Sequence, residues 1–307
     1  MENGMMDFVE FTEAVLGEIR QKADGAFEAT VNTITKNNGV KLIGISVSKE
    51  WNGNGPCVYL DGFYRDYKDG RIGLREAVDG VYALIAKHLD DIEGVDLSGF
   101  MEWETVQGSI YAKLVNAAQN QGQLEKVPHR MFLDMAVVYY MEVRNSEGED
   151  VGTVLIHNSH MEMWGQDERC LYRKAMSNMR SGGKPSFERL ETVLKNIQPI
   201  PGELLLDREC SPDMGMYILT NCRRYCGASE ILDNDTLQAI ADKIGDNFVM
   251  LPSSIHECIV MRPKDGLEYG ELADIVRNVN DTCVSVEERL SNHVYVYSRG
   301  EGIKIAA

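Results

Sequence analysis

Alternating apolar positions single out the stretch Met131–Asn158 as the centre of the predicted fold. Within Leu133–Val143 every second residue is apolar, and most residues between them are apolar as well. Apolar residues on both faces are typical of a strand that is covered on both sides. The polar, Gly-containing Ser146–Asp150 is typical of a hairpin loop, and the alternation resumes over Val151–Ile156. We therefore predict a long β-hairpin at the centre of a sheet.

Asp134 is the exception in this pattern, because it is a carboxylate among apolar neighbours. One interpretation is an acid at a strand end, hydrogen-bonded to a neighbouring backbone group or to Arg130. The other is a site carboxylate whose pKa is raised by its surroundings. The sequence leaves both open.

Elsewhere, helical and strand periodicities alternate in mixed order. Apolar stripes predict helices over Met5–Ala23, Leu74–Leu89, Asp167–Met179, 185–197, 234–244 and 272–279, with short helices at Tyr64–Tyr67 and Asn116–Val127. Strands are predicted over Phe27–Ile34, Val40–Val47, Cys57–Leu60, Ser109–Val115, Met216–Leu219, Ala228–Leu232, Phe248–Leu251, Ile255–Met261 and His293–Tyr297. We predict irregular structure over residues 199–212. Without regular βαβ alternation, the pattern favours an α+β fold with mixed, mainly antiparallel sheets and packed helices.

A chain of 307 residues exceeds one typical domain. We predict an N-terminal α+β region over residues 1–127 and a C-terminal α+β region over 128–307, built on the central hairpin. The alternative is one continuous domain. The strongest linker pattern within the second region is Ser181–Pro185.

The net charge of −17 changes the list of possible partners. It disfavours direct binding to the phosphate backbone of nucleic acids and to anionic membrane surfaces. The most acidic window runs from position 90 to position 104 and holds six acids and no base: Asp90, Asp91, Glu93, Asp96, Glu102 and Glu104. It fails as a calcium loop because Asp96 stands where the sharp turn needs Gly. These acids are the candidates for contact with a basic or nucleic-acid-binding protein, or else they keep the surface solvated.

Seven cysteines, an odd number without regular spacing, do not form a disulfide pattern. The first residues lack a basic, apolar leader, and no apolar run is long enough to span a bilayer. The expected compartment is the cytoplasm, with reduced thiols.

The first candidate for chemistry lies just after the central hairpin. His157, His160 and Glu162 could bind a metal, and with Trp164 they could line a pocket. The spacing differs from the helical H-E-x-x-H pattern, so the alternative is a strand-to-helix connection whose side chains cap the backbone.

Further patterns are weaker. Cys222 and Cys226 with His256 and Cys258 offer four zinc ligands, but they lack the usual spacing, and core thiols are the better interpretation. His256 also follows Ser253 and Ser254, a serine–histidine pair for which a tight turn is the simpler explanation. An acidic nuclease pattern at Asp134 and Glu142 fails, because eight strand residues would separate them by about 26 Å. No catalytic residue, metal or cofactor is predicted.

Several segments together resemble a known family: PHRMFLDMAVVYY, HNSHMEMWG, YILTN, GASEIL, LPSSIHE and LSNHVYVYSR. In their order they are similar to an uncharacterised family of gut Firmicutes that is known only as a domain of unknown function. The resemblance covers most of the chain. It implies a bacterial cytoplasmic setting, often near mobile-element genes, and it implies no activity, cofactor or catalytic residue.

Three classes of function follow. The first is a non-catalytic binding or regulatory protein whose acidic surface meets a protein partner. The second is an acidic mimic of nucleic acid that inhibits a defence nuclease. The third is an enzyme that uses the region around His157, His160 and Glu162.

Overall fold

A computed structural model describes residues 5–48, 56–91, 98–144, 150–197, 215–263, 266 and 268–307. It confirms the predicted α+β class, with 46% helix and 28% strand. Two compact units are present. The first comprises residues 1–96 and 144–151, and the second comprises 97–143 and 152–307.

The first unit is a three-stranded antiparallel sheet with helices packed on it. Its elements are α1 (Phe8–Ala23), β1 (Glu28–Thr35), β2 (Lys41–Ser48), β3 (Cys57–Tyr59), α2 (Asp61–Lys68) and α3 (Leu74–Asp91). Helix α1 begins where Asp7 accepts hydrogen bonds from the Val9 and Glu10 amides while the Glu10 side chain accepts one from the Asp7 amide. This reciprocal cap satisfies amides that would otherwise lack partners. The strands predicted over Phe27–Ile34 and Val40–Val47 are confirmed and pair as a hairpin, and both long helices predicted for this unit are confirmed.

The second unit contains a four-stranded sheet with β6 at its centre. The elements that form and follow it are α4 (Trp103–Val106), β4 (Ile110–Asn116), α5 (Gln121–Leu124), β5 (His129–Phe132), β6 (Met135–Arg144), β7 (Asp150–Leu155), α6 (Asn158–Trp164) and α7 (Glu168–Ser181). Strand β6 pairs with β4, β5 and β7, and its residues from Met135 to Glu142 are buried. A sheet centre covered on both faces was predicted for this stretch. The predicted loop over 146–149 lies outside the described residues.

The predicted single strand from Met131 to Val143 is wrong, because the chain reverses at Leu133 and Asp134. Strands β5 and β6 pair antiparallel, with Phe132 opposite Met135. Leu133 adopts a left-handed φ of 58° that is uncommon for a residue with a branched side chain. No Gly, Asn-Gly or Pro marked the turn, so the alternation appeared to continue through it. The short helix predicted over Asn116–Val127 is limited to α5.

The rest of the second unit forms a six-stranded antiparallel sheet in the order β13-β12-β10-β11-β9-β8. Its elements are β8 (Ser186–Arg189), α8 (Leu190–Ile197), β9 (Met216–Thr220), α9 (Asn234–Ile244), β10 (Asn247–Leu251), β11 (Cys258–Met261), α10 (Tyr269–Cys283), β12 (Tyr295–Ser298) and β13 (Gly302–Ile305). Apolar residues of α9 share the large core with one face of this sheet. Residues of α10 form a separate core with the other face.

Three predictions in this region are wrong. The helix predicted over 185–197 begins only at Leu190, because Ser186–Arg189 pairs with β9 and the Phe187 ring stacks on Tyr217 at 4.7 Å. The strand predicted over Ala228–Leu232 is a 3₁₀ segment, Gly227–Leu232. Strand β11 begins at Cys258 rather than Ile255, and β13 was not predicted at all. The irregular stretch predicted over 199–212 lies outside the described residues.

The predicted division between residues 127 and 128 falls inside the second compact unit. It stays a prediction about independent folding, which limited proteolysis would test. Among the helices that the structure describes, none is long and apolar enough to cross a bilayer.

Candidate functional site

A narrow cleft in the second unit brings together residues from β4, β6, the end of α7 and the segment after β9. We call it the Glu230 cleft. Its volume is about 20 Å³, room for roughly one water-sized group, and it is open to solvent. Its lining residues are Tyr111, Ala112, Tyr140, Met179, Gly182, Gly183, Asn221, Cys222, Arg223, Ser229 and Glu230.

The turn before Glu230 is built by hydrogen bonds of the Asn221 side chain. Its Oδ1 accepts from the amides of Arg223 and Tyr225, and its Nδ2 donates to the Tyr225 carbonyl at 2.7 Å. Side-chain bonds of this kind are typical of Asn-led turns. The local sequence thus brings the 3₁₀ segment Gly227–Leu232 back against β9.

Gly227 is required by this close approach. A Cβ at Gly227 would lie 2.1 Å from Thr220 Oγ1 and 2.7 Å from the His256 carbonyl oxygen. Any side chain would therefore push the 3₁₀ segment away from β9 and change the cleft wall that follows it.

Glu230 is a buried acid that faces the cleft without a partner. It is 7% exposed, and no hydrogen bond or ion pair of its carboxyl occurs within the described parts of the chain. Burial, reinforced by the negative charge of Asp233, raises its pKa to about 7. A buried carboxyl without a donor is costly when ionised, so this group exchanges its proton near neutral pH.

The other charged groups near the cleft are neutralised. Arg223 donates to the buried carboxylate of Glu142, and its guanidinium lies 4.5 Å from the centre of the Tyr111 ring. Asp233 accepts from Arg180 at 2.6 Å and 2.8 Å. Glu230 consequently carries the unbalanced charge of this region.

Aromatic rings form the opposite side of the cleft. Tyr111 and Tyr140 stack with their centroids 5.8 Å apart, and Tyr225 meets Tyr140 edge-on at 5.9 Å. Burial raises the pKa of Tyr140 well above its usual range, so its hydroxyl stays protonated. The cleft therefore combines one acid whose pKa is about 7 with stacked aromatic side chains and a neutral hydroxyl.

Asp134 lies elsewhere, at the β5–β6 turn. Its carboxylate accepts hydrogen bonds from Tyr295, Ser291 and His293. Arg130, one of its predicted partners, instead forms a two-point ion pair with Glu168. Asp134 therefore joins the turn to the start of β12.

His157 and His160 are joined by a hydrogen bond at the first turn of α6. The Nδ1 atom of His160 accepts a hydrogen bond from the His157 amide at 3.1 Å, and burial lowers the pKa of His160. The Trp164 ring lies beside His160 at 5.6 Å and donates from Nε1 to the Phe100 carbonyl. Glu162 points to solvent on the same helix. This geometry matches capping and aromatic packing.

The four residues weighed as zinc ligands differ in burial and are engaged by backbone groups. Cys226 and Cys258 are buried, and burial raises the pKa values of their thiols to about 11 and about 12. His256 Nδ1 accepts from the Cys226 amide, while Cys222 donates to the Gly182 carbonyl. Throughout the described ranges no three His, Cys, Asp or Glu side chains are placed to share a metal ion.

Ser254 and His256, weighed as a serine–histidine pair, are also engaged with the backbone. The Ser254 hydroxyl accepts from the His256 amide at 3.1 Å, in keeping with a tight turn.

The structure describes only part of the acidic window. Asp90, Glu102 and Glu104 are exposed, and Asp91 ends α3. Glu93 and Asp96 lie outside the described residues. Their joint role as a contact surface stays a prediction.

Sequence reasoning missed Glu230 and Arg223. The available signal was the acid in GASEIL, which stands among small and apolar residues. An acid at such a position is expected to be buried. The residues that surround Glu230 come from distant parts of the chain, however, so the local sequence does not identify them.

A model described as "Family of unknown function (DUF5688)" matches residues 8–299. This confirms the expected resemblance to a domain of unknown function. No curated protein and no solved structure matches the chain.

Proposed function

Because the chain belongs to DUF5688, a family whose function is unknown, we propose a function from its own geometry: a non-catalytic binding protein that holds a positively charged amino group in the Glu230 cleft. The observation that carries this proposal is the Glu230 carboxyl, which lies in the cleft on a side chain that is 7% exposed and receives no hydrogen bond from the described residues. A buried carboxylate is stabilised by a cation that donates hydrogen bonds to it.

The surroundings favour a cation over an anion. Arg223 is already neutralised by Glu142, so it offers no free charge to an incoming carboxylate or phosphate. The Tyr111 ring already carries the Arg223 guanidinium at 4.5 Å, so this wall of the cleft tolerates a cation. An ammonium group suits the narrow cleft, and it has two possible sources: a small amine or a Lys side chain of a basic protein partner.

A binding role is favoured over catalysis by what accompanies Glu230. Tyr140 stays protonated, and the Cys222 thiol donates to a backbone carbonyl. Glu230 alone is poised to exchange a proton near pH 7.

Titration calorimetry with n-butylammonium at pH 7.5 tests the proposal. We expect saturable binding that Glu230→Gln weakens by about tenfold or more, because a charge-assisted hydrogen bond is lost. Glu162→Gln, which removes an exposed acid and changes the net charge equally, should bind like the wild type. Equal binding by wild type and Glu230→Gln would overturn the proposal.

The two sources of the ammonium group are separated by a second probe, an end-blocked Gly-Lys-Gly peptide. Equal or better binding of n-butylammonium points to a small amine, whereas binding of the peptide alone points to a protein partner. Binding of neither probe at about 10 mM, a threshold near the weakest affinities of interest, rejects the site.

The broader setting is part of the same proposal and is supported by sequence alone. We propose a bacterial cytoplasmic protein whose acidic surface, including the window from Asp90 to Glu104, meets a basic or nucleic-acid-binding protein. Mimicry of nucleic acid, with a mobile-element origin, remains the alternative for that surface.

A further inference from the structure

A groove runs along α7 on the second unit and differs in charge from the protein as a whole. It encloses about 810 Å³, part of it open to solvent. Its lining residues are Tyr172, Arg173, Met176, Ser177, Arg180, Ser181, Leu232 and Asn234. Tyr172, Met176 and Leu232 supply apolar surface, and the two arginines stand along one side. We call it the α7 groove.

Two exposed arginines lie on one face of α7: Arg173 lines the groove, and Arg169 lies one turn before it. Arg169 and Arg173 are both exposed, and neither forms an ion pair or hydrogen bond with any part of the chain that the structure describes. They are four residues apart, so they lie on the same face of α7. Arg180, at the other end, is held by Asp233, and Asp235 adds further negative charge there.

The wall of the groove is held in place by neighbouring contacts. The Arg130 guanidinium lies 3.6 Å from the centre of the Tyr172 ring and forms a two-point ion pair with Glu168. Met176 is 6% exposed and forms a firm part of the floor. A partner would therefore meet a preformed apolar surface with free guanidinium groups at one end.

We propose that the α7 groove docks an acidic, amphipathic peptide segment of a partner protein. Free guanidinium groups bind carboxylates in a two-point geometry, and the apolar floor receives the partner's apolar side chains. Arg169 and Arg180 are about 16 Å apart along the helix at 1.5 Å per residue. A segment of about eleven helical residues spans this distance, with its carboxylates toward Arg169 and Arg173.

Nucleic acid fits the groove less well. Duplex phosphates offer no apolar side chains for the floor, and the net charge of −17 repels a polyanion. A short acidic peptide carries less charge and uses both parts of the groove.

Fluorescence anisotropy with a labelled probe tests the proposal. The probe is an end-blocked helical peptide of about twelve residues, a length taken from the helical rise, with Glu at every fourth position and Leu beside each Glu. We expect saturable binding that weakens at least tenfold in R169E/R173E. The variant R169E/R173E should bind the counterpart peptide, which has Lys in place of Glu, more tightly than the wild-type protein does.

The matched control is R262E/R277E, which changes the net charge by the same amount at exposed arginines outside α7. It should bind the acidic peptide within twofold of the wild type. Circular dichroism melts check that the variants fold. We expect them to fold because Arg169 and Arg173 are exposed.

Three results overturn the proposal. One is the absence of saturable binding by the wild type at about 100 µM, where even weak specific contacts are measurable. Another is equal loss in both double variants, which indicates general charge attraction. The last is displacement of the peptide by a short DNA duplex at lower concentration than by unlabelled peptide, which indicates a nucleic-acid site.

Discussion

The Asp134 carboxylate accepts a hydrogen bond from the Tyr295 hydroxyl at 2.5 Å, although 161 positions separate the two residues. Ser291 Oγ and His293 Nδ1 lie 3.1 Å and 2.9 Å from the same carboxylate. Because Asp134 is at the β5–β6 turn and Tyr295 begins β12, this cluster joins the two sheets of the second unit.

We expect Asp134 and Tyr295 to contribute to stability as a coupled pair. Tyr295→Phe should cost about 1–2 kcal/mol and Asp134→Ala about 2–4 kcal/mol, because buried polar groups lose their partners. The double variant should cost less than the sum by at least about 0.5 kcal/mol. Urea unfolding measures all three. Additive losses would contradict the coupling, while Asp281→Ala, at an exposed ion pair with Arg289, should cost under about 1 kcal/mol.

Leu133 should be replaceable with a gain in stability. Its left-handed φ of 58° is unfavourable for Leu, and its side chain is 40% exposed. Leu133→Asn is expected to stabilise the protein by about 0.5–1 kcal/mol, because Asn tolerates this conformation. Leu194→Asn, at an exposed position within helix α8, should be neutral or destabilising. A lower midpoint for Leu133→Asn in thermal unfolding would contradict this and show that the Leu133 side chain contributes packing.

Glu230 should make stability depend on pH. Its pKa is raised from 4.5 to about 7 in the folded protein, so the folded state binds more protons than the unfolded state between these values. The free energy of unfolding should therefore fall as pH rises from about 4.5 to about 7, by roughly 3 kcal/mol, and then level off. Urea unfolding at several pH values measures this slope. Glu230→Gln should remove it, and an unchanged slope in that variant would assign the effect to other groups.

Two Gly→Ala variants should have opposite effects. Gly227→Ala places a Cβ 2.1 Å from Thr220 Oγ1 and should destabilise the protein by about 2–3 kcal/mol or more. Gly17→Ala, inside α1 with no atom within 4 Å of the new Cβ, should stabilise it by up to about 1 kcal/mol. Differential scanning calorimetry compares the two. Similar midpoints would contradict the close approach at Gly227.

Helices and strands could be predicted where apolar residues recur at a clear period and a capping residue or Gly marks the end. Helix α9 begins at the Asp233 cap and ends at Gly245, as its sequence indicates. Val137 and Tyr139 are fully buried, as the two-sided apolar pattern predicts. The reversal at Leu133 was not predictable in this way, since its conformation is stabilised by the distant contacts of Asp134 rather than by local turn residues.

The cleft was less predictable than the fold. Glu230 is one acid in a short sequence, and its environment is created by Tyr111, Tyr140 and Arg223, which approach it only after β4, β6 and β9 have assembled. The candidate chemistry at His157 and His160 stays a prediction. Their spacing is local, and local backbone hydrogen bonds use it.

Burial of β6 on both faces has a consequence for protein synthesis. Met135–Met141 is a run of uncharged, β-branched or aromatic and apolar residues without Gly or Pro, a composition typical of segments that aggregate as cross-β. The residues of the six-stranded sheet that share its core leave the ribosome later. The nascent chain therefore exposes an aggregation-prone strand until its C-terminal third is made, and Glu142 and Arg144 stand beside it as charged residues that oppose self-association.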